Sequence, residues 1–203
     1  MEKRTSPGGF EIVVPGWLAE RLAVRCDPSG GDRAQLEFVL ELARENVRRQ
    51  SGGPFAAAVF ESHSGKLLAA GVNVVEAAGQ SLAHAEILAL ALAQSRIGTY
   101  DLGGPSRPVC TLVSSSQPCL MCLGALLWSG VRKLVFSASR RDVQEILGFD
   151  EGPQLGTWRR ELRRRGIAVC GPLLRRRGSE VLRAYRENGG RIYGGRQGSA
   201  GHD

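Results

Sequence analysis

Long apolar runs are missing from this chain. No stretch approaches the roughly 20 residues that span a bilayer, and the opening Met-Glu-Lys-Arg-Thr-Ser-Pro-Gly-Gly lacks the apolar segment of a secretory signal. A cytoplasmic location with no membrane partner is the expectation. Aromatic residues are scarce, at 6%. None lies within the basic runs Arg159–Arg165 and Arg175–Arg177, which therefore lack the stacking platforms of a single-strand nucleic-acid binder. Cysteine occurs at positions 26, 110, 119, 122 and 170 only, and an odd count in such a chain argues against a disulfide framework. Histidine is scarcer still: His63, His84 and His202 are all there are.

The chain has 203 residues and 42% hydrophobic content, enough for one substantial core and too few for two. Net charge is +7 and unevenly placed. Residues 132–196 carry 16 Lys and Arg against 7 Asp and Glu, whereas the remainder is slightly acidic. Such a surplus can attract nucleic acid. Without interleaved aromatics it reads as a solvated helix face.

Periodicity supplies the elements. A short helix is predicted from Trp17 to Val24. Leu36, Val39, Leu40, Ala43 and Val47 recur at helical spacing after Asp32, a predicted N-cap, and Ser51-Gly52-Gly53-Pro54 stops that helix. Phe55–Phe60 and Lys66–Val75 read as a hairpin. An apolar helix follows over Ala83–Arg96, then a strand over Val109–Ser114, a helix from Pro118 to Trp128 and a strand over Lys133–Ala138. A short helix from Arg140, a helix over Trp158–Arg165, a strand over Ile167–Cys170 and a helix over Glu180–Glu187 complete the reading. A hairpin followed by alternating strands and helices predicts an α/β domain of three α-β-α layers around a mixed, roughly five-stranded sheet. The predicted organisation is a peripheral extension over 1–31, one domain over 32–190 and a tail over 191–203. Cys110 and Cys170, in strand-like stretches, read as small buried hydrophobes. Cys26 falls in a predicted loop.

The chemistry concentrates in two places, His84-Ala85-Glu86 and Pro118-Cys119-Leu120-Met121-Cys122. One imidazole and two thiolates suit Zn2+, and three protein ligands leave a fourth position for water. Cys119 and Cys122 share a helical face. Pro118 suits the start of that helix, whose unpaired N–H groups lower thiol pKa values. His84 and Glu86, two residues apart, do not share a helical face. They converge only if the chain enters its helix at this point, so the spacing predicts two helix N-termini aimed at one ion. Glu86, unligated, is placed to move protons. Taken alone, Cys-x-x-Cys also fits a structural zinc or a redox pair; a structural site would require a fourth ligand.

The full pattern, His-x-Glu followed by Pro-Cys-x-x-Cys, is the zinc deaminase signature. With it, the chain resembles the cytidine-deaminase-like superfamily over roughly Gly52 to Pro153. Within the superfamily it is most similar to bacterial guanine deaminases. The segments carrying that likeness are Gly52-Gly53-Pro54-Phe55, Ala70-Gly71-Val72-Asn73, Ala83-His84-Ala85-Glu86, the run from Cys119 to Trp128, and Gly148-Phe149-Asp150-Glu151-Gly152-Pro153. The resemblance implies hydrolysis of guanine to xanthine and ammonia, extending to aminotriazines such as ammeline. It implies one zinc per chain, held by His84, Cys119 and Cys122 with a water or hydroxide. Glu86 would shuttle protons, and Glu151 would assist loss of ammonia. Substrate contacts would come from Asn73, Phe55, Ala85, Trp128 and Tyr193, the last closing a pocket. A homodimer is also implied. Read without the resemblance, Phe55 and Trp128 are equally core residues, Asn73 a turn residue and Glu151 a surface acid. Gln117 stands where relatives often have Glu, which bears on the substrate more than on the reaction. The alternatives are deamination of another nucleobase or nucleoside, deamination of adenosine in tRNA, signalled by the basic C-terminal third, and a catalytically dead nucleobase-binding protein.

Overall fold

A computed structural model describes residues 11–23, 28, 30–153 and 155–194. Five strands form one sheet: β1 (Ala56–Glu61), β2 (Leu67–Val72), β3 (Cys110–Ser116), β4 (Lys133–Ala138) and β5 (Ala168–Cys170), in the order β2-β1-β3-β4-β5. The hairpin β1–β2 is antiparallel, as is β1–β3, whereas β3–β4 and β4–β5 are parallel. The sheet is therefore mixed, as the alternation of strands and helices predicts.

Strand alternation divides the core into two layers. Ala56, Ala58 and Phe60 face one layer together with Val113 and Val135. Ala57 and Val59 face the other with Leu112, Leu134 and Phe136. Helices α2 (Gly31–Arg48), α6 (Arg140–Leu147) and α8 (Arg175–Glu187) cover the first face. Helices α4 (Ala85–Ile97), α5 (Leu120–Trp128) and α7 (Trp158–Arg164) cover the second. The N-terminal α1 (Gly16–Ala23) sends Leu18 fully into the first layer, so this segment shares the core of the domain. Burying one leucine contributes about 1.5–3 kcal/mol.

Several boundaries differ from the periodicity reading. The N-cap of α2 is Gly30, and Asp32 lies inside the first turn, where its carboxylate meets Lys133 Nζ at 2.6 Å. Helix α8 starts at Arg175, five residues before the predicted Glu180. Arg175, Arg176, Arg177 and Gly178 carry no apolar period, and their helix is set by partners: Arg177 pairs with Glu37 at 2.7 Å and Arg175 with Asp142 at 2.8 Å. One helical turn, α3 (Val75–Ala78), interrupts what reads as the end of the second strand. Cys110 is fully buried and Cys170 partly so; Cys26, His202 and most of the predicted tail lie outside the described residues. No described helix is long and apolar enough to cross a membrane.

The site occupies the carboxyl ends of the parallel strands, where open α/β sheets bind ligands. Strand β3 runs into α5, β4 runs into α6, and β2 ends immediately before Asn73. Gly71 lets α4 approach the sheet, since a Cβ there would stand 2.6 Å from the Ala85 carbonyl.

Candidate metal centre and substrate pocket

His84 and Cys119 are the N-cap residues of α4 and α5. Both have extended backbone angles, φ −74° and ψ 149° for His84, φ −66° and ψ 174° for Cys119. Their carbonyls accept the first helical hydrogen bonds, from Leu88 N at 3.0 Å and Leu123 N at 2.9 Å. The extended turn at His84 resolves the two-residue spacing problem: His84 sits before the helix, Glu86 in its first turn, and both side chains reach one centre. Two helix N-termini therefore meet, as the spacing predicts.

Nδ1 of His84 lies 3.7 Å from Cys119 Sγ and 3.6 Å from Cys122 Sγ. The three ligand atoms all fall within 4.8 Å of one another. A tetrahedral zinc with ordinary Zn–S and Zn–N bonds separates its sulfur and nitrogen ligands by about 3.6 Å. The residues present thus fit zinc, and among the described residues they form the one such cluster.

Glu86 is buried beside them. Its Oε1 accepts a hydrogen bond from Ser114 Oγ at 3.0 Å, and its Oε2 lies 3.4 Å from Cys122 Sγ. Burial raises its pKa, and the nearby Cys119 thiolate pushes in the same direction. A hydrogen bond from Cys122, then one from His84, lowers Cys119 to about 4, while Cys122 keeps its proton and is held well above the ordinary thiol range. Burial works against charge on His84, but its hydrogen bond to Cys119 and the charge of Glu86 outweigh it and raise its pKa.

Above this floor lies a pocket of about 620 Å³, lined among others by Phe55, Asn73, His84, Glu86, Cys119, Met121, Phe149, Glu151 and Tyr193. Phe149 meets Phe55 edge to face at 5.8 Å and Tyr193 at 5.0 Å. Asn73 is buried, not an exposed turn residue. Its Oδ1 caps Val75 N at 3.4 Å, and its side chain hydrogen-bonds to Tyr193. Tyr193 is brought to the pocket by the segment after α8, where Tyr185 Oη donates to Arg191 O at 2.6 Å. Burial, then the charges of Cys119 and Glu86, raise Glu151 to about 8. Its Oε2 is shielded from solvent and has no hydrogen-bond partner. Glu151 is not a surface acid.

Two expected substrate contacts are displaced. Trp128 ends α5, nine residues beyond Cys119 and so about 13 Å along the axis. It is 85% exposed and lies outside the pocket. Ala85 is fully buried in the core between α4 and the sheet, because the first step of the helix rotates its side chain away from the cavity that His84 and Glu86 face. Gln117 is buried, its N–H donating to Ala138 O at 2.7 Å and its Oε1 accepting from Arg140 N at 3.4 Å, so it joins β3 to the start of α6.

Other site residues escape the sequence reading. Asn46 donates from Nδ2 to the carbonyls of Gly53 at 2.8 Å and Asn73 at 3.0 Å, and accepts from Ser51 Oγ at 2.8 Å. It is fully buried, and its sequence signal is a polar residue inside the apolar stripe that ends at Val47. Gly52 permits this crossing: a Cβ there would fall 1.9 Å from the Asn73 carbonyl. Ser114 carries no comparable signal, and Phe149 shows in the sequence only as part of the Gly148–Pro153 segment.

Residues 31–138 match the cytidine and deoxycytidylate deaminase zinc-binding region, and the chain belongs to that family. It is a hydrolytic deaminase acting on carbon–nitrogen bonds. Its neighbours include the guanine deaminase of Bacillus subtilis, 35% identical over 116 residues that cover 57% of this chain and 69% of the relative. A solved structure of the guanine deaminase from Nitrosomonas europaea is 44% identical, with a TM-score of 0.80 over 88% of this chain and 97% of that one. A variant of NE0047 in complex with 8-azaguanine is 45% identical, with a TM-score of 0.84 over 90% and 99%.

Proposed function

We propose that this chain deaminates guanine, converting guanine and water to xanthine and ammonia. The observation that carries the proposal is the placing of two carboxyls, buried Glu86 and half-buried Glu151 with its Oε2 shielded, beside the His84–Cys119–Cys122 cluster inside one aromatic-walled pocket. The similarity to guanine deaminases supports the choice of ring. Ring analogues with the same amino-bearing edge, ammeline among them, are included in the proposal.

Zinc, held by His84, Cys119 and Cys122, supplies a Lewis acid that lowers the pKa of water. The chain's own groups do the rest. Phe55 and Phe149 border the purine, and Asn73 offers its amide to the ring. Glu86 keeps Oε1 tied to Ser114, so Oε2 is the atom that takes the proton from the attacking water and returns it to a ring nitrogen. A raised pKa suits a base that must hold a proton between two transfers. Glu151, whose pKa burial raises, gives a proton to the departing amino group, since an amine leaves poorly until protonated, and regains one as the new hydroxyl loses its proton to become the carbonyl. Tyr193 closes the pocket edge.

The chain is further proposed to act as a homodimer. Helix α5 is apolar all round, yet Leu120, Leu127 and Trp128 stand on its exposed side. An apolar face of that kind is suited to burial against a second copy.

Purified zinc-loaded protein given guanine is expected to release ammonia and xanthine in equal amounts. Glu86→Gln should keep its zinc and lose about 10²–10⁴-fold in turnover. Absence of ammonia from guanine, ammeline and a panel of aminated purines, pterins and nucleosides would overturn the reading.

A further inference from the structure

Arg140 is the first residue of α6, and two features make it costly there. A cation at a helix N-terminus opposes the helix dipole. In addition, its Nη1 is shielded from solvent without a hydrogen-bond partner. Orphaned buried polar atoms are rare and call for an explanation. Among the described residues, one other side-chain atom shares this condition, and it is Oε2 of Glu151.

The two are linked by the backbone. Helix α6 ends at Leu147, and the chain turns at Gly148, φ +77°, to run back toward the start of the same helix. There Arg140 Nη2 donates to the carbonyl of Gly152. The N–H of Gly152 donates to Asp150 Oδ1 at 2.9 Å. Gly152 is thus held at both its polar groups, and the residue next to it is Glu151. Arg140 N is itself bonded to Gln117, directly before Pro118 and Cys119. A continuous path runs from the cysteine strand–helix junction through Arg140 to the loop that carries Glu151.

We infer that Arg140 is a positioning residue for Glu151. It pins the 148–153 loop over the cluster by its bond to Gly152, and it leaves the Glu151 carboxyl unpaired so that this group can meet the substrate. The positive charge of Arg140 also acts on Glu151, opposing the burial that raises its pKa. The neutral side chain at 117 belongs to the same arrangement, because it binds the Arg140 backbone without adding an anion that would compete for the guanidinium. The inference rests on the proposed role of Glu151 in proton delivery.

A double-mutant cycle tests it, with kcat and KM for guanine measured on zinc-loaded Arg140→Gln, Glu151→Gln and the double variant. Arg140→Gln is expected to lower kcat at least tenfold, with KM within threefold and zinc content unchanged. In the Glu151→Gln background the same change should have no further effect on kcat. Amide exchange across residues 148–153 should quicken in Arg140→Gln. An equal loss in both backgrounds would overturn the inference, because Arg140 would then act elsewhere. So would a wild-type kcat in Arg140→Gln. If that variant does not fold, Arg140→Lys keeps the charge and loses the planar fork. A kcat loss of at least threefold is expected for it, and wild-type turnover would overturn the inference. Wild-type turnover in Glu151→Gln alone would instead defeat the role assigned to Glu151.

Discussion

Ser114 Oγ donates to Glu86 Oε1 across 3.0 Å, joining the middle of the sheet to the first turn of α4. This bond decides which carboxylate oxygen is free to move protons. It also favours the ionised form of a carboxyl that burial would otherwise neutralise. Ser114→Ala is expected to retain zinc and to lower kcat by about 10- to 150-fold, the scale of one hydrogen bond to a charged group. Its pH–rate profile should move to higher pH, since the Glu86 pKa rises when the bond is lost. Steady-state kinetics from acid to alkaline pH, with metal analysis of the same samples, check both.

Asn46 spans Gly53 and Asn73 with one amide, so its loss leaves two buried carbonyls without that donor and leaves Ser51 Oγ only the longer bond to the Asn46 carbonyl at 3.4 Å. Asn46→Ala should cost about 2–4 kcal/mol in stability. KM should rise more than kcat falls, because Asn73 loses its anchor while the cluster keeps its own. Denaturant unfolding and substrate titration separate the two effects.

Glu151 yields a prediction of sign. Its folded value of about 8 exceeds the ordinary 4.5, so the folded state holds this proton more tightly than the unfolded state. Its contribution is fully present below 4.5 and is lost as pH rises through about 8. Glu151→Gln removes a charge that would be buried at high pH. In the zinc-free protein the variant should match wild type near about pH 4 and be more stable by a few kcal/mol, on the order of magnitude only, near about pH 9. Thermal unfolding of chelator-treated protein across that range is the measurement.

Trp128, 85% exposed at the end of α5, should contribute nothing to ring packing within its own pocket. Placing a charge there should act on association. Trp128→Glu is expected to weaken the proposed dimer at least tenfold, measured by sedimentation over a concentration series. An unchanged dimer would move the contact to another face.

Much of the architecture was legible because apolar period reports burial directly. β4 occupies its predicted span, and the sheet is mixed with five strands. The start of α8 was hidden because ion pairs to Glu37 and Asp142, not an apolar stripe, hold it. Ion-pair partners 140 and 33 residues away leave no local trace.

Local spacing alone determined the chemistry of the floor. His84, Glu86, Cys119 and Cys122 are short-range motifs, and ligand type with helix-start position is enough to imply a zinc centre with a free carboxylate. Tertiary structure decided everything that reaches the centre from afar. Ser114 arrives on a strand, Asn46 from the far end of α2, and Glu151 by a loop that doubles back to Arg140. It also removed Trp128 and Ala85 from the pocket. A helix fixes direction as well as neighbourhood: one step turns Ala85 into the core, and nine steps carry Trp128 out to solvent.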